Sequence, residues 1–413
     1  MICSEVKYQP ERSKTYLGSP SIIRLPDGVL VASHDYFGKI KNPSNECALT
    51  SIYRSEDNGA TWENVTHICG AFWGTLFWHR GELYHFSCVQ EYGDIVIRKS
   101  TDGGFTWTNP TDERHGVLFQ AGKGHENPNY HFHGTAVLFH KGRIWKAIEE
   151  LHYNGVDEQM WQAPNFIASV ISAPEDSDLL EASSWTMSNK LCFEKEKMTE
   201  KQKNLLLPTD WWSKGSGWLE GDMVVDPEGN LHNMIRMHLA KPNKAAIMDV
   251  SDDGKTLSFD YENGFIDFIG GEGRFIIRRD PVTKVYFTLT NFVTSEEIPT
   301  LRNILNLAAS EDLRHWFNLG TILFDDTGLN PDMSVQLTGF QYPDWQFDEE
   351  DLIYLVRTAY RGANSFHNSN RITYHVLKNF RRYWHLGKEA VRREDSGGAD
   401  SHDGHFLKEI AVN

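Results

Sequence analysis

An eight-residue phrase occurs twice in this chain, as Ser55-Glu56-Asp57-Asn58-Gly59-Ala60-Thr61-Trp62 and, 45 residues later, as Ser100-Thr101-Asp102-Gly103-Gly104-Phe105-Thr106-Trp107. Both read S-x-D-x-G-x-T-W. Weaker copies stand at Ser251-Asp252-Asp253-Gly254-Lys255-Thr256 and Ser310-Glu311-Asp312-Leu313-Arg314-His315-Trp316. The residue types suit a β-hairpin turn: the Asp side chain caps backbone N–H groups, Gly supplies a positive φ, and Trp covers the turn. Two full and two decayed copies of one turn predict a repeat architecture.

Between these turns runs a second unit, an apolar strand, a Gly or Asp turn, then another apolar strand. It occurs at residues 21–33, 75–87, 135–148, 223–236, 275–288 and 340–357, the first around Pro26-Asp27-Gly28 and the fourth around Pro227-Glu228-Gly229-Asn230. Each unit with its turn makes a four-stranded sheet, and radial repetition of such sheets is a β-propeller. The expected fold is all-β, a propeller of six or seven blades formed as one domain over residues 1–413. Segments 1–18 and 382–413 are expected to close the ring or add a seventh blade. Residues 186–216 read as a loop insertion near the binding face, with a short charged helix over 194–203.

The net charge of −16 without a Lys/Arg stripe argues against nucleic acid as a partner. No apolar run approaches the ~20 residues of a membrane-spanning helix. Five cysteines, Cys3, Cys47, Cys69, Cys88 and Cys192, lack CxxC spacing and read neither as a disulfide framework nor as a zinc site. The first residues show no signal peptide, which fits a cytoplasmic protein or a secreted one already processed. With 12% aromatic residues and 13 Trp, the composition suits strands and a ring-shaped ligand.

The complete turn motifs resemble the Asp boxes of the sialidase-like propeller superfamily. Sialidases carry an Arg-Ile-Pro element before their first inner strand; here the comparable stretch is Gly18-Ser19-Pro20-Ser21, with glycine in the arginine's place. Residues 18–38, 130–150, 217–236, 339–347 and 357–381 are similar to a narrower sialidase-like group. That group includes L-rhamnose-α-1,4-D-glucuronate lyases and α-L-rhamnosidases acting on arabinogalactan, with ulvan lyases more distant. The resemblance implies a seven-bladed ring, sometimes with bound calcium, and an oligo- or polysaccharide substrate. No other cofactor is expected, and the protein is expected to be a monomer or small homo-oligomer.

In a propeller the ligand sits over the central channel, so candidates lie at the start of each first strand or the end of each second one. Elimination from a uronic acid needs a cation to hold the carboxylate, a base for the C5 proton and an acid for the departing oxygen. Arg236, at the end of a strand, suits the carboxylate, and the lyase resemblance favours it as neutraliser; a structural ion pair with Asp222 is the competing role. His131 and His133 alternate on one strand and share a face, in reach of base and acid duty. Tyr153 is a candidate proton donor. His34, His85, Glu220, Arg357 and Tyr360 are candidates for substrate binding, and no metal ligands are assigned.

Glu149, Glu150 and Glu220 keep open a paired-carboxylate glycosidase. His34 keeps open hydrolysis through one histidine, as in some rhamnosidase relatives. The leading expectation is β-elimination at a rhamnose–glucuronate terminus; the alternatives are a glycoside hydrolase and a non-catalytic carbohydrate-binding propeller. Trp73, Trp211, Trp212 and Trp218 are candidates for stacking on a sugar ring.

Overall fold

A computed structural model describes residues 4–38, 48–123, 126–153, 161–294 and 298–395. Cys3, Cys47 and the tail beyond residue 395 lie outside the described residues. Six antiparallel sheets follow one another along the chain. Blade 1 holds Thr15–Leu17 and Ser21–Arg24, then Leu30–Gly38, Leu49–Ser55 and Glu63–Cys69. Blade 2 holds Phe72–His79, Glu82–Cys88, Ile95–Ser100 and Val117–Phe119. Blade 3 is built on Arg143–Leu151 and Phe166–Pro174, with Tyr130–His131 and Leu138–His140 as its inner strand. Blade 4 runs from Gly217–Val225 through Leu231–His238 and Lys244–Val250 to Leu257–Ser258 and Phe265–Asp267. Blade 5 holds Ile277–Arg279, Tyr286–Asn291, Ile304–Ser310 and Trp316–Phe324. Blade 6 takes Gly339–Asp348, Asp351–Ala359 and Arg371–Leu377 from one end of the chain and Ser4–Tyr8 from the other.

The ring therefore has six blades, not the seven implied by the narrower resemblance. The first strands sit toward the axis, where those of blades 6, 1 and 2 contact in succession, as do those of blades 3, 4 and 5. Each blade alternates its side chains between two faces, and each face is buried against a neighbour. The apolar clusters record this: one lies at each of the six blade interfaces. Polar pins cross the same interfaces. Asp344 of blade 6 accepts from Ser21 Oγ and the Ile22 N–H of blade 1, both at 2.8 Å. Asp222 of blade 4 accepts from the Ile277 N–H of blade 5 at 2.7 Å.

All four copies of the repeated turn connect the third and fourth strands of a blade. In the second full copy the Asp102 carboxylate accepts from the Phe105 and Thr106 N–H groups at 3.0 Å and from Thr106 Oγ1 at 2.6 Å. Ser100 Oγ accepts from the Gly104 N–H at 2.8 Å. In the decayed copy Leu313 takes the left-handed position at φ 66°, and Trp316 still donates to its carbonyl at 2.9 Å. Gly59 is required twice over. Its φ is +84°, and a Cβ there would stand 2.2 Å from the Tyr374 ring of blade 6. Gly59→Ala is expected to cost about 3 kcal/mol, backbone strain adding to overpacking. The denaturant midpoint measures this, and an unchanged midpoint would show that the blade 6–blade 1 contact yields freely.

The insertion ahead of blade 4 forms no α-helix; Lys195–Lys197 and Lys203–Leu205 are single 3-10 turns. With Lys or Glu at most positions of 194–203, this segment has no apolar stripe to bury, so tertiary packing does not sustain a longer helix. The α-helix Arg381–Asp395 packs on the outer strand of blade 5, where Trp384 meets Phe317 edge to face at 5.8 Å. No helix among the described residues is long and apolar enough to cross a membrane.

Candidate active site

One cavity of about 900 Å³ opens over the channel and takes side chains from the blades all round the ring. Its walls depend on a recurring backbone irregularity. The pairing of first and second strands shifts register between Phe72 and Thr75 in blade 2, between Trp218 and Gly221 in blade 4, and between Gln341 and Asp344 in blade 6. Such bulges re-aim the residues they contain. Those residues are Trp73 (φ 55°), Glu220 and Tyr342 (φ 52°), and all three line the cavity.

Three guanidinium groups reach the cavity. Arg236 donates from Nη1 to Glu220 Oε2 at 2.6 Å and from Nη2 to Glu272 Oε1 at 3.4 Å; its Nη1 also lies 3.5 Å from the Tyr342 hydroxyl. Its ion-pair partners are thus Glu220 and Glu272 instead of Asp222. Arg302 donates to the Glu272 carbonyl at 3.0 Å, and Arg357 donates to Ser369 Oγ at 3.1 Å and the His367 carbonyl at 2.6 Å. Among the described residues neither Arg302 nor Arg357 has a carboxylate within ion-pair distance. Burial, with Arg236 nearby, pushes Arg302 down to about 10, and burial also lowers Arg357. A buried cation without a counter-ion is costly unless an anion arrives. A fourth guanidinium, Arg274, lies beneath, donating to the Tyr342 carbonyl at 2.6 Å while its Nε and Nη1 find no partner among the described residues.

Two cavity carboxyls are driven apart. Burial pushes Asp35 up to about 6, although its oxygens accept from the Trp73 N–H at 2.6 Å and the Ser19 N–H at 2.9 Å. Glu220 is also buried, but Arg236 and His131 overcome that burial and hold it below the ordinary carboxylate value. Carboxyls separated this way are the signature of an acid and a base. Gly18, where sialidases have arginine, is explained by Asp35: a Cβ at Gly18 would stand 1.4 Å from Asp35 Oδ1. No side chain fits beside this carboxyl.

His131 and His133 face one way, as their alternation predicts, and both contact Glu149. His131 Nδ1 is 3.2 Å and His133 Nε2 2.9 Å from Oε2 of that glutamate. Burial lowers His131 to about 4 and His133 well below its ordinary value, so both rings are neutral near pH 7. Burial and Glu220 raise Glu149 strongly, so its contacts with the two rings are hydrogen bonds of a buried, proton-sharing set. Lys146 pins the set from below, donating to the His133 carbonyl at 2.8 Å and Thr135 Oγ1 at 2.6 Å.

Of the residues singled out from sequence, His131, His133, Arg236, Glu220, Arg357, Trp73 and Trp212 meet in the cavity, while Glu149, Glu150, Trp211 and Trp218 are outside its lining. Four others also stand outside it. His34 is stacked on Tyr53 at 5.4 Å, its Nδ1 3.0 Å from the Asp35 carbonyl. His85 is sealed in blade 2 with 0% exposure beside Trp107 and the Gly74 backbone. Tyr153 follows blade 3 with its backbone held by Asn127 at 2.9 and 3.0 Å. Tyr360 points its hydroxyl to Asp326. Sequence reasoning missed Tyr342, Arg302, Glu272 and Arg274. The run Gly-Phe-Gln-Tyr-Pro at residues 339–343 carried a signal for the first, since proline breaks a strand's pairing. Among the described residues no group of three or more His, Cys, Asp or Glu is arranged to hold a metal ion.

No family model matches the chain, and no curated protein matches it either. Solved structures do. An α-L-arabinanase of Penicillium chrysogenum is similar at 12% identity and TM-score 0.54 over 91% of this chain and 97% of that one. A protein of unknown function from Dyadobacter fermentans is similar at 16% identity and TM-score 0.56, over 91% and 97%. A Trypanosoma rangeli sialidase is similar at 15% identity and TM-score 0.57, over 92% of this chain and 57% of that one. At these identities the likeness carries the architecture alone: the chain has the six-bladed, sialidase-like β-propeller fold.

Proposed function

We propose that this protein is a glycoside hydrolase cleaving at a sugar that carries a carboxylate. The observation behind this reading is the pair of buried cavity guanidiniums, Arg302 and Arg357, that lack an acidic partner among the described residues while Arg236 is already paired. A fork of N–H donors binds a carboxylate bidentately, and in a buried site the pair is strong. Tyr342 is then the nucleophile. Its hydroxyl and Glu220 both contact Nη1 of Arg236, which places a held-down carboxylate beside the phenol as its base. A neutral phenol also approaches an anomeric centre flanked by a carboxylate without the repulsion an anionic nucleophile meets.

The steps balance simply. The Tyr342 oxygen bonds the anomeric carbon as its proton passes to Glu220. Asp35 gives its proton to the departing glycosidic oxygen. Water, deprotonated by Asp35, then displaces Tyr342, which recovers its proton from Glu220. Two displacements retain the anomeric configuration. Sialidases are the known exceptions that use a tyrosine nucleophile, and one of them shares this fold.

A second reading, elimination from a rhamnose–glucuronate terminus, is favoured by His131 and His133. Both are neutral and so able to accept a proton, in the same cavity as Arg236. One assay separates the two. Methylumbelliferyl glycosides of sialic and glucuronic acid and a rhamnose-capped glucuronide are incubated with the protein, following fluorescence, free sugar and ultraviolet absorbance. Hydrolysis gives free acid sugar with flat absorbance; elimination gives an unsaturated uronate and rising absorbance. Arg302→Met is expected to lower kcat/KM on the acid glycoside by about 10²–10³-fold, the cost of losing one buried charge pair. Faster turnover of a neutral arabinofuranoside than of any acid glycoside would overturn the acid-sugar reading.

A further inference from the structure

The cavity wall between blades 3 and 4 has a character of its own. Trp161 and Trp212 stack with ring centroids 5.2 Å apart and planes 14° from parallel. Both line the cavity, yet Trp212 is 51% exposed. The buried Trp218 and Trp145, by contrast, are consumed by the interface of these same blades. The loops bearing the two stacked indoles are tied to each other, since the Ala163 N–H donates to the Ser213 carbonyl at 3.1 Å. His238, 1% exposed, stands edge-on to both rings, 5.3 Å from Trp212 and 6.2 Å from Trp161. Its Nδ1 is 2.7 Å from Glu272 Oε1, while its Nε2 has no partner among the described residues.

A flat aromatic face backed by a second ring, with an unsatisfied polar atom at its edge, suits a neutral pyranose: apolar ring face on the indole, hydroxyl on the imidazole. Of the cavity's cations, Arg236 reaches the same Glu272 Oε1 as His238 but is paired there by that carboxylate and by Glu220, while Arg357 is held in blade 6. Position in the ring adds direction. Asp35, the proposed proton donor, belongs to blade 1, and a leaving group departs on its side. In a six-bladed ring, blade 4 lies opposite blade 1. The indole pair thus faces the end of the cleaved sugar remote from the leaving group.

We infer that Trp212, stacked on Trp161, forms a subsite for a second, neutral sugar ring joined to the non-reducing side of the acid sugar, with a small turn of Trp212 opening His238 Nε2 to one of its hydroxyls. The direction of the subsite rests on the acid-sugar reading; the stacking does not. The substrate class is then a glycan terminus of a neutral sugar on an acidic one, released as a disaccharide.

Calorimetric titration and Trp emission with three probes test this: glucuronic acid, α-rhamnosyl-1,4-glucuronic acid, and neutral cellobiose. In Trp212→Ala the rhamnosyl-glucuronate affinity is expected to fall about tenfold and that of glucuronate to change less than twofold; Trp212→Phe is expected to recover part of the loss. Equal loss for both acid probes, or none, overturns the subsite while leaving the acid-sugar reading in place. If neither acid probe binds the wild-type protein, the acid-sugar reading fails and cellobiose decides: Trp212-dependent binding supports a neutral-ring subsite, and its absence overturns it.

Discussion

Tyr342→Phe is expected to lower kcat on an acid glycoside by about 10⁴-fold, the scale seen when a nucleophile acting with its base is removed. The substitution deletes one oxygen and leaves the ring, whose face lies 5.0 Å from the Arg274 guanidinium and 5.1 Å from that of Arg357. It also leaves the backbone at its φ of 52°, which Phe tolerates as Tyr does. Unfolding is therefore expected to be unchanged, and KM to move little, because the carboxylate contacts of Arg302 and Arg357 survive. Mass spectrometry with a fluorinated substrate analogue gives an independent check, since a trapped glycosyl group is expected on Tyr342 in the wild type. A variant retaining a tenth of wild-type turnover would remove Tyr342 from the chemistry and move attention to His131 and His133.

Asp35→Asn is expected to cost about 10³-fold on substrates with an alkoxide leaving group, the range for general acid catalysis. With a nitrophenol leaving group, which needs no proton, the loss is expected to shrink below about tenfold. The pH profile gives the sign. Asp35 must hold a proton to donate it, and burial raises it to about 6, so kcat/KM of the wild type falls as pH rises through that value. Glu220 must be ionised, and Arg236 helps hold it below its ordinary value, so the acidic limb lies lower. In the variant the limb near 6 disappears. The introduced side-chain amide would set one N–H donor against that of Ser19 or Trp73, at a cost of about 1–3 kcal/mol in stability. For that reason the leaving-group comparison and the pH profile, which stability does not move, carry the test. A limb that persists in Asp35→Asn would assign the proton donor elsewhere.

The repeated turn was legible because its cause is local. Asp57 and Asp102 satisfy N–H groups within four residues, so residue identity and structure share one short window. The alternating apolar strands were legible for the same reason. Arg236, Glu220, Arg357, His131 and His133 could be found at strand ends, where a propeller exposes residues to its channel. Tyr342 sits at the same kind of first-strand bulge as Glu220, but a tyrosine there reads as ordinary strand packing where a glutamate does not. Arg302 and Glu272 come from connections within and before blade 5, whose path no periodicity records. His34 and His85 misled because a histidine near a strand end or in mid-strand reads alike whether it meets Tyr53, Trp107 or a ligand. The number of blades was open since the last sheet is assembled from two distant segments, a pairing no local pattern announces.

That last sheet bears on how the protein comes to work. Ser4–Tyr8 pairs with Arg371–Leu377, so the outer strand of the sixth blade waits for its partner until more than three hundred and sixty residues have followed it during synthesis. Tyr342 and Arg357 belong to this blade, while Asp35 belongs to the one beside it. In chain order the blade of the proposed proton donor comes first, and the proposed nucleophile and carboxylate anchor join at the final seam. Catalytic competence then arrives with the closing of the circle, and a cut or permutation in this seam reports on both at once.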